Sequence, residues 1–257
     1  MPANLTISAG TVLAFLLVLA RVSGAMVFVP LPGFSGSPGM ARAVFSLAFT
    51  LALAPRWPSI EGSGPGIWIL AAWAVAEAAI GVAIGLAAAT ILEVIAFADQ
   101  MLGMQAGYGY AQTIDPNSEA DSGILQVVAQ LMSGMLFFAM GMDGQVLRLF
   151  SASLEKIPPG AYVFQIASAE AFIRLSGNVL VVGARLALPV VSLEVMLDMA
   201  LALVGRLNAQ LQLLSLAFPV KMLTALVVLT AVLSLYPRVL GQFSQGAFRV
   251  AQRVLGL

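Results

Sequence analysis

Long apolar runs alternate with short polar breaks along this chain. Residues 5 to 30 carry one charge, Arg21, and end in the turn-rich PLPGFSGSPG. AVFSLAFTLALA, residues 43 to 54, is apolar but short of the ~20 residues a membrane span needs. PRWPSIEGSGPG, Pro55 to Gly66, has the chemistry of a loop. Residues 67 to 98 read as one long helix containing Glu77 and Glu93. Ile124 to Met142 is free of charge and is the best single span by hydropathy. MDGQVLRLFSASLEKIPPG is amphipathic, and its diproline should end a helix. Residues 166 to 204 form a second long apolar stretch, with Pro189 inside it. Leu211 to Tyr236 follows and is expected to break at Pro219 and Lys221. The tail from Pro237 holds Arg238, Arg249 and Arg253 and no acid.

No alternating pattern recurs at the spacing a membrane barrel requires, so the expected class is all-α. The expectation is a hydrophobic integral membrane protein of long helices arranged as hairpins, with five or six spans and an irregular central loop. No linker divides the chain, which reads as a single all-helical domain over residues 1–257. The arginines of the tail favour a cytoplasmic C-terminus.

Composition sharpens this picture. Sixty per cent of residues are hydrophobic and 9% charged, against about 45–50% and 25% in soluble domains. Net charge is zero and no basic stripe exists, so a nucleic-acid partner is not expected. There is no cysteine and no histidine, which removes thiolate and imidazole metal sites and any Ser-His-Asp triad. G-x-S-x-G and H-E-x-x-H are both absent. The commonest acid–base residue is thus absent, an intramembrane aspartyl enzyme on Asp99 and Asp143 is the least favoured class, and the chain is read as a non-enzyme without a cofactor. The N-terminus has no basic residue before its apolar run, so that segment is read as retained.

Charges inside apolar helices are the first candidates for function. Each costs about 2.5–3.5 kcal/mol at a helix centre in lipid. Glu77, Glu93, Asp99, Arg185, Glu194, Asp198, Arg206 and Lys221 should therefore face a partner, a cavity or water. Glu194 and Asp198 share a helical face at i,i+4 and repel. Arg185, Arg206 or a neighbouring subunit are the bases expected to meet them. Gly81 and Gly85 form a GxxxG, as do Gly103 and Gly107, and such pairs let helices approach closely.

The second candidate is the insert MLGMQAGYGYAQTIDPNSEADSG, Met101 to Gly123. Its acids Asp115, Glu119 and Asp121 have no base between them. One reading is a surface loop. A sharper one is a pore plug, since glycine bends while Tyr and Met fill a narrow space deformably. Irregular backbone at membrane depth is tolerated where it is buried in protein or lines a cavity. A third reading is a secondary transporter, with Asp99, Glu93 and Pro189 at a broken-helix site.

Several motifs occur in order along nearly the whole chain. RVSGAMVFVPLPGFSGSPGMARAVFSLAFTLALAP comes first, then E-x-x-x-G-x-x-x-G at Glu77, Gly81 and Gly85. G-x-Q-x-G-x-x-x-A-x-x-x-D-P follows at Gly103, Gln105, Gly107, Ala111, Asp115 and Pro116. Leu188-Pro189-Val190, LDMALALVGRLNAQL and Phe218-Pro219 complete the set. In these motifs the chain resembles the FliR family, an integral component of the flagellar type III export gate. It departs from the family at Ala98-Asp99-Gln100, where A-G-E is frequent. It also has Ala209 in place of a proline and Gln145 in place of a histidine.

The resemblance implies a subunit that joins FliP-like and FliQ-like proteins in a helical channel for unfolded flagellar substrates. FlhB-like and FlhA-like proteins are implied as further partners, and the inner membrane at the flagellar basal body as the place, with contact to membrane lipid. It implies that Gly107, Tyr108, Gly109, Tyr110, Ala111, Gln112, Thr113, Ile114, Asp115 and Pro116 help close the pore. Met101, Gly103, Met104 and Gln105 would pack beside this loop. It further implies apolar hairpins that pack on partner subunits largely outside the membrane plane. The alternative function is a proton- or ion-coupled transporter of small solutes.

Overall fold

The computed structural model describes residues 8–29, 39–58, 66–107, 124–162, 166–207 and 213–257, with side chains except at 124–127, 129, 213–216 and 218. These residues form α1 (Ala9–Met26), α2 (Gly39–Ala52), α3 (Ile67–Gln105), α4 (Ile124–Ala139), α5 (Met142–Lys156), α6 (Ile166–Leu207), α7 (Leu213–Val232) and α8 (Tyr236–Leu255). Single 3-10 turns at Ala54–Arg56 and Leu233–Leu235 complete them, and no strand occurs among the described residues. The chain is all-α.

Local chemistry sets several boundaries. Ser8 caps α1, its hydroxyl accepting from the Thr11 amide at 3.1 Å. Gly141, at φ +66°, separates α4 from α5. Asp143 in the first turn of α5 and Lys156 in its last complement the helix dipole. Ile157 turns extended ahead of Pro158 and ends α5 there.

Two expectations about helices are corrected. Among the described residues four stretches, not five or six, are long and apolar enough to cross a membrane: Ala9–Met26, Ile67–Gln105, Ile166–Leu207 and Pro219–Leu255. The Ile124–Met142 segment falls short because Gly141 stops its helix at Ala139 after 16 residues, about 24 Å at 1.5 Å per residue. Pro219 does not break its segment either, since α7 runs through it, as α6 runs through Pro189. Apolar helices tolerate proline where neighbouring groups re-satisfy the freed carbonyl.

The chain divides into two compact units. The first comprises residues 1–90, 141–175 and 244–257, the second residues 91–140 and 176–243. Three of the four boundaries fall inside α3, α6 and α8, and the fourth lies between α4 and α5.

In the first unit α1 packs on α2. The core draws on Leu17, Val18 and Val22 of α1, Ile80 and Ile84 of α3, and Leu149 and Phe150 of α5. Phe49 meets Phe150 edge-on at 5.6 Å, and Phe15 meets Trp57 at 5.5 Å. Trp57 donates its indole N–H to the Thr50 carbonyl at 3.0 Å, fixing the chain where it leaves α2. In the second unit Ile91, Val94, Ile95, Ala98 and Leu102 of α3 are buried, as are Val179, Leu186 and Val190 of α6 and Tyr236 and Leu240 of α8. Gly183 presses on the Val94 carbonyl and the Phe97 ring, leaving no room for a methyl group.

Helices differ greatly in how much of their apolar surface the chain itself covers. In the most apolar window of α3 61% of residues are buried, in that of α6 only 17%. Leu180, Val181, Leu188, Met196, Met199 and Leu203 of α6 all lie exposed.

Candidate functional site

In the first unit a buried ionic cluster locks α1, α3 and α5. Arg21 and Glu77 are 1% and 2% exposed. Arg21 donates from Nε to Glu77 Oε2 at 2.5 Å, from one terminal nitrogen to Ser153 Oγ at 3.1 Å, and from the other to the Ile157 carbonyl at 3.3 Å. Ser153 in turn donates to the Phe150 carbonyl at 2.7 Å. Glu77 Oε1 has no partner.

This cluster can form because α1 and α3 touch backbone to backbone. A methyl group at Gly81 would strike the Arg21 carbonyl, one at Gly85 the Ala25 carbonyl, and one at Gly24 the Ala78 carbonyl. Small residues at i and i+4 on α3 thus admit α1 close enough for a short ion pair one turn away.

The second unit holds two polar groupings. Tyr236, fully buried, donates its hydroxyl to Asp99 Oδ1 at 3.3 Å, while Asp99 Oδ2 has no partner. Lys221 of α7 grips Asp198 of α6 at 2.8 Å and 3.0 Å from its two oxygens. Gln105, the last residue of α3, donates its amide to the same carboxylate at 3.3 Å. Glu194, one turn before Asp198, is 1% exposed with neither carboxylate oxygen bonded.

The base that meets Asp198 is therefore Lys221, in place of Arg185 or Arg206. Both of those arginines are exposed and engage no acid among the described residues. Glu93 is exposed as well. Arg21, the most buried base of the chain, was not among the charges expected to need a partner. Its signal was available: one charge in an otherwise apolar run, on the helix that precedes Glu77 and its glycines.

Of the central loop, Tyr108, Gly109, Tyr110, Ala111, Gln112, Thr113, Ile114, Asp115 and Pro116 lie outside the described residues. Its base is described. Met101 and Gly103 are half-buried on α3 and Met104 is exposed. Gly103 meets nothing among the described residues, so none of their helices crosses closely there. Gly107 follows the helix at φ +81°, a left-handed turn that suits glycine.

An all-helical chain with span-length apolar helices, few charges and most of its buried charges gathered in small polar clusters is the class defined by these features. The chain belongs to the bacterial export proteins, family 1, whose sequence pattern matches residues 12–247. It is 24% identical to the flagellar biosynthetic protein FliR of Escherichia coli over 218 residues, 84% of this chain and 83% of that one. It is 28% identical to FliR of Caulobacter vibrioides over 223 residues, covering 85% and 87%. With FliR of Bacillus subtilis it shares 25% over 230 residues, 86% of each.

Proposed function

We propose that this chain is a core subunit of the flagellar type III protein export gate in the bacterial inner membrane, at the flagellar basal body. In this reading it acts as one all-helical domain. It joins FliP-like and FliQ-like subunits, beside FlhB-like and FlhA-like proteins, in a helical channel for unfolded flagellar substrates. Its loop from Gly107 to Pro116 helps close that channel, and the chain itself performs no catalysis.

The observation that carries this reading is the bare apolar surface of α6 in a member of the export family. A helix of 42 residues is about 63 Å long at 1.5 Å per residue, twice the ~30 Å hydrocarbon core of a bilayer. Lipid alone does not cover its length, whereas apolar helices of neighbouring subunits do. The hydrogen bond of Gln105 to Asp198, itself paired with Lys221, supports the loop assignment, because it anchors the helix from which the loop departs.

Native mass spectrometry of the full chain in detergent, alone and co-expressed with the FliP-like and FliQ-like proteins of its own genome, tests the assembly. A defined hetero-oligomer with one copy of this chain is expected; a stable monomer or homodimer that ignores them refutes it. Deleting Tyr108 to Gln112 in cells carrying the whole gate should raise small-ion leak. Unchanged leak with normal assembly refutes the closing role.

A further inference from the structure

Within the second unit a groove of about 380 Å³ opens between α6 and the α7–α8 junction, within the size range of small-molecule sites. Val182 and Leu186 form one wall and Val232, Leu235 and Val239 the other. Two polar side chains line it, Arg185 and Gln242, and no acid does. The whole stretch from residue 213 to the end contains no Asp or Glu. Arg185 is exposed, and its side chain forms no hydrogen bond or ion pair among the described residues. Pro189 also lies in the lining.

We infer that this groove binds one anionic phospholipid. The phosphate pairs with the Arg185 guanidinium, headgroup hydroxyls meet Gln242, and an acyl chain lies along the valine and leucine walls. Basic pockets between membrane helices bind lipid headgroups in this way. Two features decide for a lipid over an acidic side chain of another protein. A carboxylate would satisfy Arg185 but leave the apolar walls empty, and a free phosphate would do the same. An amphiphile matches both halves of the groove at once. The site does not depend on the export-gate reading, since every residue in it belongs to this chain.

The test is native mass spectrometry of the full chain in a neutral detergent, titrated with phosphatidylglycerol or phosphatidylcholine at equal concentration. Phosphatidylglycerol adducts should exceed phosphatidylcholine adducts several-fold. Arg185→Gln should reduce them about fivefold or more, what one arginine contributes near an anionic lipid surface. Leu235→Trp fills the groove from a side chain that is 44% exposed and should reduce them likewise with all charges kept. Inorganic phosphate at the same concentration should neither bind nor compete. Equal binding of the two lipids overturns the inference. So does wild-type binding by either variant with an unchanged helical circular dichroism spectrum, or competition by inorganic phosphate. Absence of any phosphatidylglycerol adduct also overturns it and leaves Arg185 to an acidic partner segment.

Discussion

Neutralising Glu77 is the sharpest test of what holds α1, α3 and α5 together. In Glu77→Gln the shape is kept and the amide oxygen still accepts from Arg21, but the guanidinium loses its counter-charge. Both side chains are almost wholly shielded, at 1% and 3% exposure, so water cannot compensate. Removing one member of such a pair costs about 3–5 kcal/mol, a fall in Tm of roughly 6–20 °C for a chain of this size. Removing both charges in Arg21→Met/Glu77→Leu leaves no orphan charge and should cost less than the sum of the single changes. The measurement is thermal unfolding of the purified chain in detergent, followed by circular dichroism for wild type, Glu77→Gln, the single variants Arg21→Met and Glu77→Leu, and their double. A Glu77→Gln protein melting within about 2 °C of wild type would refute the argument. So would a double variant at least as unstable as the two singles combined.

The glycines of α3 should behave oppositely at its two ends. Gly81→Val drives a side chain into the Arg21 carbonyl and should cost at least the ~1–3 kcal/mol of an overpacked core. Gly103→Ala, which meets nothing, should be neutral or raise stability by up to about 1 kcal/mol through helix propensity; the same melting experiment reads both. Tyr236→Phe removes the hydroxyl that donates to Asp99 and should destabilise by about 1–3 kcal/mol, whereas an unchanged melt would mean that water already reaches that carboxylate.

Much of the fold was legible in the pattern of apolar runs, because long helices announce themselves by length. The course of α3 and α6 needed little beyond it. The number of spans was misread because hydropathy does not register one glycine: the charge-free run to Met142 looks continuous until Gly141 adopts a left-handed turn. Pro219 was misread because its effect on a helix is set by the neighbours that replace a hydrogen bond, which sequence does not display. Charge pairing was the least legible. Glu194 and Asp198 advertised a need for a base by their spacing. The choice of Lys221 over Arg185 and Arg206 follows from which face of α7 meets α6, a tertiary fact.

The ionic cluster of the first unit also sets a timetable for synthesis. Arg21 precedes Glu77 by 56 residues and Ser153 by 132. At about 5–20 residues per second, α1 emerges from the ribosome with its arginine unanswered for roughly 3–11 s before the carboxylate exists. For that interval α1 carries an unpaired charge in the C-terminal third of an otherwise apolar helix. The Arg21–Glu77 pair, and the close α1–α3 packing at Gly81 and Gly85 that admits it, can therefore form only once α3 has been made.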